Sequence, residues 1–182
     1  MTTITKEYAL SGWDLSELLS EPVGKALDAK LAALETRVQA FEGRRAELDA
    51  DMDPEAFLDI VEEYEALVEE IYIPYAHASL SFSEDTQSGE ALNMLNRVQQ
   101  AGTEAQNRVL FFSLWWKGLD DDAAARLLPR GENLADYRHF LEDLRRTTPY
   151  TLDEKSEQII NTKDANGIDA LITVYSMLTN RL

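Results

Sequence analysis

Residues 53–75 read DPEAFLDIVEEYEALVEEIYIPY, and their apolar positions recur at the spacing of an α-helix. A helix places residues three and four apart on one face, and that face is apolar at Phe57, Ile60, Tyr64, Leu67 and Ile71. Asp53 can cap the first turn, where the missing N–H of Pro54 costs nothing. The stretch predicts a long core helix that continues to Tyr75 and is bent, but not broken, at Pro74.

Two further runs have the same heptad spacing, one on each side of this stretch. The first is Leu27, Leu31, Leu34, Val38, Phe41 and Leu48, and the second is Leu92, Leu95, Val98, Gly102, Ala105, Val109, Phe112 and Trp116. Glu21-Pro22 marks a start for the first of these helices. Because short connections between long helices make neighbours antiparallel, we expect an all-α fold with a long antiparallel hairpin or bundle.

Several shorter helices are predicted after Trp116. Asp120 begins a compact helix that Pro129 ends, and Thr151 with Glu154 has the spacing of a capping box. Asn166-Gly167 separates two helical patterns, and the last one runs to Leu182 in helical register without a stop signal. We therefore expect a long-helix bundle over 1–130, and over 131–182 the start of a next region that is truncated at its C-terminus.

The net charge of −17 restricts the partners of this chain. A nucleic-acid binder needs a basic face to neutralise phosphates, so we expect no nucleic-acid partner. The sequence contains no Cys, which excludes disulfides and thiolate metal ligands. Because it shows neither a signal peptide nor an apolar run long enough to cross a membrane, we expect a cytoplasmic protein without a membrane partner.

The excess of acids is concentrated in one segment. Residues 46–96 contain 14 Asp and Glu and no Lys or Arg. These acids fall mostly off the apolar stripe of the second helix, which is what a solvated face requires. A surface for cationic peptides is the alternative interpretation of the same pattern.

No catalytic motif is found in the chain. Sequences typical of a serine nucleophile elbow, a phosphate-binding loop or a dinucleotide site are absent. A di-iron bundle needs Glu three residues before each of two histidines, but Pro74 precedes His77 and Asp136 precedes His139. Asp136, His139, Glu142 and Asp143 share a helix face that either binds one ion or is simply solvated.

One segment points to a family. The stretch Arg145 to Glu154, RRTTPYTLDE, resembles a signature in the N-terminal helical region of oligoendopeptidase F, a thimet-oligopeptidase-like zinc metallopeptidase. That signature is Arg-x-x-Pro-His-x-Leu-Ser-x-x-x-Glu. Arg146, Pro149, Leu152 and Glu157 match it, whereas Tyr150 replaces the usual His and Asp153 the usual Ser. Gly167 to Tyr175 is similar to a later family segment, with Leu171 where Trp is common.

This resemblance implies a part of an enzyme. In the family, a His-Glu-x-x-His helix and a later Glu hold zinc and activate water in a separate catalytic region. None of those residues is present here, so we expect no catalytic residue, no metal ligand and no cofactor in this chain, and no activity of the chain alone. Its partners would be the missing C-terminal catalytic domain and an oligopeptide substrate.

The resemblance also suggests a role for the aromatic residues. The chain would form a wall of the substrate channel, with Trp115, Trp116 and Tyr150 as candidates for interdomain or channel contacts. Trp116 continues the third apolar stripe, so at least one of the two indoles is expected in the core. The alternative function is a free-standing acidic helical module that binds a basic protein.

Overall fold

A computed structural model describes residues 12–20, 24–131 and 134–180, and the predicted start at Glu21-Pro22 lies outside these ranges. The prediction of an all-α fold is confirmed, since the described residues contain helices and no strand. Seven α-helices are described: α1 Gly24–Gly43, α2 Pro54–Glu84, α3 Gly89–Gly118, α4 Asp121–Leu127, α5 Ala135–Arg146, α6 Glu154–Asn166 and α7 Ile168–Thr179. None of the described helices is long and apolar enough to cross a membrane.

Helix α2 runs antiparallel to both α1 and α3, and α1 and α3 also pack against each other. Phe57 near the start of α2 stacks on Trp116 near the end of α3, with ring centroids 5.1 Å apart. Farther along, α2 and α3 approach closely, because a Cβ added at Gly102 would lie 3.4 Å from Cγ2 of Ile71. The ion pairs of Arg37 in α1 and of Arg44, directly after α1, with Glu70 and Glu63 of α2 give the antiparallel register of these two helices. The predicted hairpin of long helices is therefore present.

Two apolar clusters form the core of the described residues. Aromatic rings dominate the larger one, where Phe41, Phe57, Phe112 and Trp116 are fully buried. The smaller cluster lies between α1, α2 and α3 and includes Leu27, Ala78, Phe82, Leu95 and Val98. Each cluster follows from the predicted heptad stripes, because residues on these stripes face the neighbouring helices.

Helix α2 begins and continues as its sequence predicts. The Asp53 carboxylate accepts hydrogen bonds from the backbone N–H of Glu55 and Ala56 at 2.8 and 3.4 Å. Pro74 is buried inside the uninterrupted helix, so it does not break α2. Tyr75 differs from the prediction, since it is exposed at the edge of the apolar face.

Helix α5 shares the core of the long helices. Its Leu141 is fully buried, and the Leu141 carbonyl accepts a hydrogen bond of 2.8 Å from the indole N–H of Trp116. Arg145 donates to the carbonyls of Trp116 and Leu119, both at 2.9 Å. The predicted segment 131–182 is thus joined to the helices of 1–130 by core contacts as well as by the chain.

Helix α6 begins two residues later than the predicted capping box. Asp153 caps it by accepting from the N–H of Ser156 at 3.1 Å, and Glu157 accepts from the N–H of Leu152 at 2.8 Å. The expected capping roles of Thr151 and Glu154 were therefore wrong. The Thr151 hydroxyl donates instead to the Thr147 carbonyl. Glu154 forms an ion pair with Arg45 at 2.6 Å instead of capping the helix.

A single glycine separates α6 from α7. The two helices end and begin on either side of Gly167, as the Asn166-Gly167 pair predicts. A Cβ at this position would lie 2.7 Å from the Lys163 carbonyl oxygen, a distance too short for any side chain. The close approach of the two helix ends therefore requires glycine here.

Candidate functional site

Helix α7 presents an apolar stripe to solvent. Its residues lie three or four positions apart and are between 56% and 70% exposed: Ile168, Leu171, Ile172, Tyr175 and Leu178. A stripe of this kind normally packs against another element. We call these five residues the α7 stripe. Their exposure makes them the largest apolar surface that one helix of the described chain leaves uncovered.

Polar contacts and the packing of half-buried Met177 against the smaller core cluster hold α6 and α7 against the long helices. Asn107 of α3 donates to the Thr162 hydroxyl at 3.2 Å, and its carbonyl groups accept from Gln158 and Asn161 at 3.0 and 2.9 Å. Gln99 of α3 donates to the Asp169 carboxylate at 3.1 Å. Helix α7 directs Asp169 and Met177 toward the long helices, so the α7 stripe faces away from α3.

The signature residues build the turn between α5 and α6. Pro149 lies in a short 3₁₀ turn, Thr148–Tyr150, that follows α5 directly. Arg146 pairs with Asp143 at 2.5 Å, and Glu157 fixes the Leu152 N–H. Tyr150 projects from this turn and is 85% exposed. The signature residues therefore form a turn that leaves Tyr150 at the surface and fixes the start of α6.

Trp115 lies beside this turn. It is half-buried and lines a cleft of about 490 Å³ together with Thr148, Thr151 and Leu152. At the cleft, Arg45 stands 5.3 Å from the centroid of the Phe111 ring and pairs with Glu154, which raises the pKa of the guanidinium. The structure thus brings Trp115 close to the segment that carries Tyr150.

Trp116 has a different position from its neighbour. Its side chain is fully buried between Phe57, Leu141 and the guanidinium of Arg145, whose carbon lies 5.8 Å from the indole centroid. It therefore has no exposed surface for a contact with another domain. Trp115 and Tyr150 are the two sequence candidates that remain accessible.

A comparison with known proteins finds a similarity in the region that contains these features. Residues 115–181 match the family model of oligopeptidase F. The match supports the resemblance to the N-terminal region of that family that the signature predicted. No curated protein and no solved structure matches the chain. The oligopeptidase F segment, residues 115–181, includes the end of α3, the signature turn and the α7 stripe.

A groove runs along α2, and most of the residues that line it precede residue 115. Its floor is α3, one wall is α2, the other is formed by Asn161 and Asp169 of α6 and α7, and α5 closes one end. The groove consists of two adjoining cavities of about 520 and 270 Å³ that share Ile71, Tyr72 and Gln106. We call it the tyrosine groove, after its aromatic lining by Tyr64, Tyr72, Tyr75, Tyr137 and Phe140.

One hydrogen bond organises the closed end of this groove. The Tyr137 hydroxyl donates to the Glu65 carboxylate at 2.7 Å, and this bond raises the pKa of Tyr137 to about 12. The hydroxyl therefore stays protonated and fixes the carboxylate at the rim. Nearby, the Tyr64 ring lies 4.8 Å from Phe112 and 6.3 Å from Phe140, so it joins the groove to the aromatic core.

The acids of residues 46–96 are at the surface, and none of the 14 is buried. Within the part of the chain that the structure describes, four of them form ion pairs with arginines: Glu47 and Glu63 with Arg44, Glu70 with Arg37, and Asp51 with Arg126. Elsewhere Arg108 binds Glu42 through two hydrogen bonds and also Glu35, which lowers the pKa of Glu42. The predicted solvated character of the acidic segment agrees with these positions.

The residues present do not fit a zinc site. Among the described residues, no three His, Asp or Glu side chains are grouped closely enough to hold a metal ion. His77 is buried and contacts the Ser81 hydroxyl at 3.3 Å, while His139 lies on the exposed side of α5, 3.5 Å from Asp143. Of the two interpretations of the polar face of α5, ion binding or a solvated surface, the structure favours the solvated surface.

The tyrosine groove was not predicted from the sequence. Tyr64, Tyr72 and Tyr75 belong to a helix whose period marks a buried face, but the period does not say how far that face extends beyond its neighbours. Tyr137 and Phe140 come from α5, more than 60 residues along the chain. The dense aromatic content of residues 71–75 was the one sequence signal in this region.

Proposed function

We propose that this chain is the non-catalytic N-terminal part of a cytoplasmic, zinc-dependent oligoendopeptidase that hydrolyses short peptides. Its helices would form one wall of the substrate channel, and a catalytic domain elsewhere would supply the His-Glu-x-x-His zinc site. The match to oligopeptidase F supports the peptidase assignment. The exposed α7 stripe within the matching segment is the observation that carries the domain-docking part of the proposal.

The stripe has enough apolar surface to hold a second domain. Full burial of a Leu, Ile or comparable side chain contributes about 1.5–3 kcal/mol, and each stripe residue is still more than half exposed. Covering all five would therefore contribute roughly 5 kcal/mol before the costs of association. Because the stripe residues are not needed for the internal core, we expect their replacement to affect docking much more than the stability of this chain.

The channel role rests on the aromatic residues beside the signature turn. Trp115 and Leu152 line one cleft, and Tyr150 projects from the adjoining turn. Rings of this kind offer large contact areas for peptide side chains or for another domain at low entropy cost. We assign Trp115 and Tyr150 to these contacts. Trp116 would act indirectly, by holding α5 and therefore the turn against α3.

The first test is the coding sequence and the activity of the chain alone. We expect the natural reading frame to continue past residue 182 and to encode a His-Glu-x-x-His sequence. The 182-residue chain should not cleave quenched fluorogenic peptides, with or without added zinc. Zinc-dependent turnover by this chain would contradict the non-catalytic role, and a stop codon directly after residue 182 would favour the free-standing acidic module.

The second test addresses docking. The chain and the downstream catalytic region are expressed as separate polypeptides in one cell, and their co-purification and peptidase activity are measured. L171Q combined with Y175Q should reduce both at least tenfold and leave the melting temperature of the isolated chain nearly unchanged. The control is L80Q combined with I159Q, which replaces two exposed apolar residues, on α2 and α6, that belong to neither the α7 stripe nor the tyrosine groove. Equal losses in both variants would refute a specific role of the α7 stripe.

A further inference from the structure

We propose that the tyrosine groove binds an extended peptide segment that carries a Lys or Arg side chain. The groove is distinct from the α7 stripe, and its use as a binding site does not require the catalytic domain. It therefore goes beyond the proposed function, and either proposal can fail while the other stands.

The shape of the groove suits an extended peptide. Its α2 wall extends from Val61 to Tyr75. At a rise of 1.5 Å per residue, this wall is about 21 Å long. An extended chain covers about 3.3 Å per residue, so the groove has room for roughly six residues. A peptide in this conformation leaves backbone groups unpaired, and the amide of Gln106 in the groove floor can both donate to and accept from them.

The charge of the groove selects a cationic ligand. Carboxylates stand at three places around it: Glu65 on α2, Asp136 on α5 and Asp169 on α7. None of the described residues that line the groove is Lys, Arg or His. The wall also belongs to the segment 46–96, which has no Lys or Arg to compete with a ligand. The electrostatic attraction of a bound cation would thus not be offset locally.

The aromatic lining adds selectivity for a cation on an otherwise apolar peptide. Tyr72 is 53% exposed, and its ring shares the groove with Tyr64, Tyr75 and Phe140. A Lys or Arg head group can rest on such rings while its methylene stem contacts apolar surface. Val68 and Ile71 supply that surface between the rings. The groove therefore accepts a basic side chain with apolar neighbours.

The test uses two fluorescein-labelled hexapeptides and the 182-residue chain. Both have the sequence Ala-Phe-X-Leu-X-Ala with blocked ends; X is Arg in the probe and citrulline, its uncharged analogue, in the control. Fluorescence anisotropy at low salt should show at least tenfold tighter binding of the Arg peptide. Its affinity should fall as salt is raised, because exposed charges are screened. In ¹⁵N spectra, the side-chain amide signals of Gln106 and Asn161 should shift with the Arg peptide.

Matched variants separate the groove from the general acidity of the chain. E65Q combined with D136N removes two groove charges and should weaken binding of the Arg peptide about tenfold. E55Q combined with D59N removes two charges from the opposite side of α2 and should weaken it less than twofold. Y72S tests the aromatic contact and should weaken it about fivefold. Circular dichroism establishes that each variant is folded.

Three results would overturn the proposal. Equal affinity for the Arg and citrulline peptides would show that the cation is not recognised. Equal weakening by the two charge-removing double variants would show attraction to the whole acidic surface. Shifts confined to α7 would place the peptide on the α7 stripe. Loss of catalytic-domain docking in L171Q and Y175Q, with peptide binding intact, would show that the two surfaces are independent.

Discussion

Replacing Trp116 with Phe should destabilise the chain by about 2 kcal/mol. The buried indole N–H donates to the Leu141 carbonyl, and losing this hydrogen bond costs about 1 kcal/mol. The smaller ring leaves space between Phe57 and Leu141 that the neighbours fill only partly, which adds roughly 1 kcal/mol. The same change at half-buried Trp115 should cost less than 1 kcal/mol. The two variants therefore make a matched pair.

Urea unfolding followed by far-ultraviolet circular dichroism measures both costs, since this signal does not depend on which tryptophan remains. Hydrogen exchange of the α5 amides gives a second measurement. In W116F these amides should exchange faster, because Trp116 ties α5 to α3, whereas in W115F they should be unchanged. If W116F costs no more than W115F, the Leu141 hydrogen bond does not hold α5 in place and the reasoning about this junction is refuted.

Three further predictions concern other contacts. Burial lowers the pKa of His77 from 6.5, so at slightly acidic pH the unfolded chain binds a proton that the folded chain does not. The free energy of unfolding should therefore be highest above about pH 6.5 and should fall below that pH. H77N should reduce the drop in melting temperature between about pH 7.5 and 5.5. R108M removes the paired hydrogen bonds to Glu42 and should cost about 1 kcal/mol at low salt and less in 1 M salt, as measured by urea unfolding; a cost independent of salt would contradict this. G102A should raise the free energy of unfolding by about 0.5 kcal/mol, because alanine favours the helix and Ile71 leaves room for the added methyl group, and a decrease would show that the helices cannot adjust.

The long helices could be predicted in detail because their signals are local. Asp53-Pro54 gives a cap and a tolerated proline, and the heptad stripe of α2 identifies Phe57, Ile60 and Leu67 as core residues. The capping box at Thr151 was misplaced for a tertiary reason. Glu154 forms an ion pair with Arg45, which is more than 100 residues away, and Asp153 takes the capping position instead.

The candidate site was predictable only in part. The signature pointed to the α5–α6 turn and to Tyr150, whereas the exposure of Leu171, Tyr175 and Leu178 on the last helix is a finding of the structure. Trp116 is buried and Trp115 only half-buried because of the helices that pack around the end of α3, which the sequence does not show. The tyrosine groove likewise combines residues from α2, α3, α5, α6 and α7, so no single stretch of sequence contains its pattern.

The sequence by itself determined the long helices, the cap at Asp53 and the excess of acids in residues 46–96, because these features depend on periodicity, capping and charge among neighbouring residues. Only the tertiary structure decided which faces remain open. Contacts of Asp169 and Met177 with the long helices leave the apolar stripe of α7 outward, and the packing of α5 beside Tyr64 and Glu65 of α2 closes one end of the tyrosine groove. Both outcomes depend on contacts between distant segments, which local patterns do not encode.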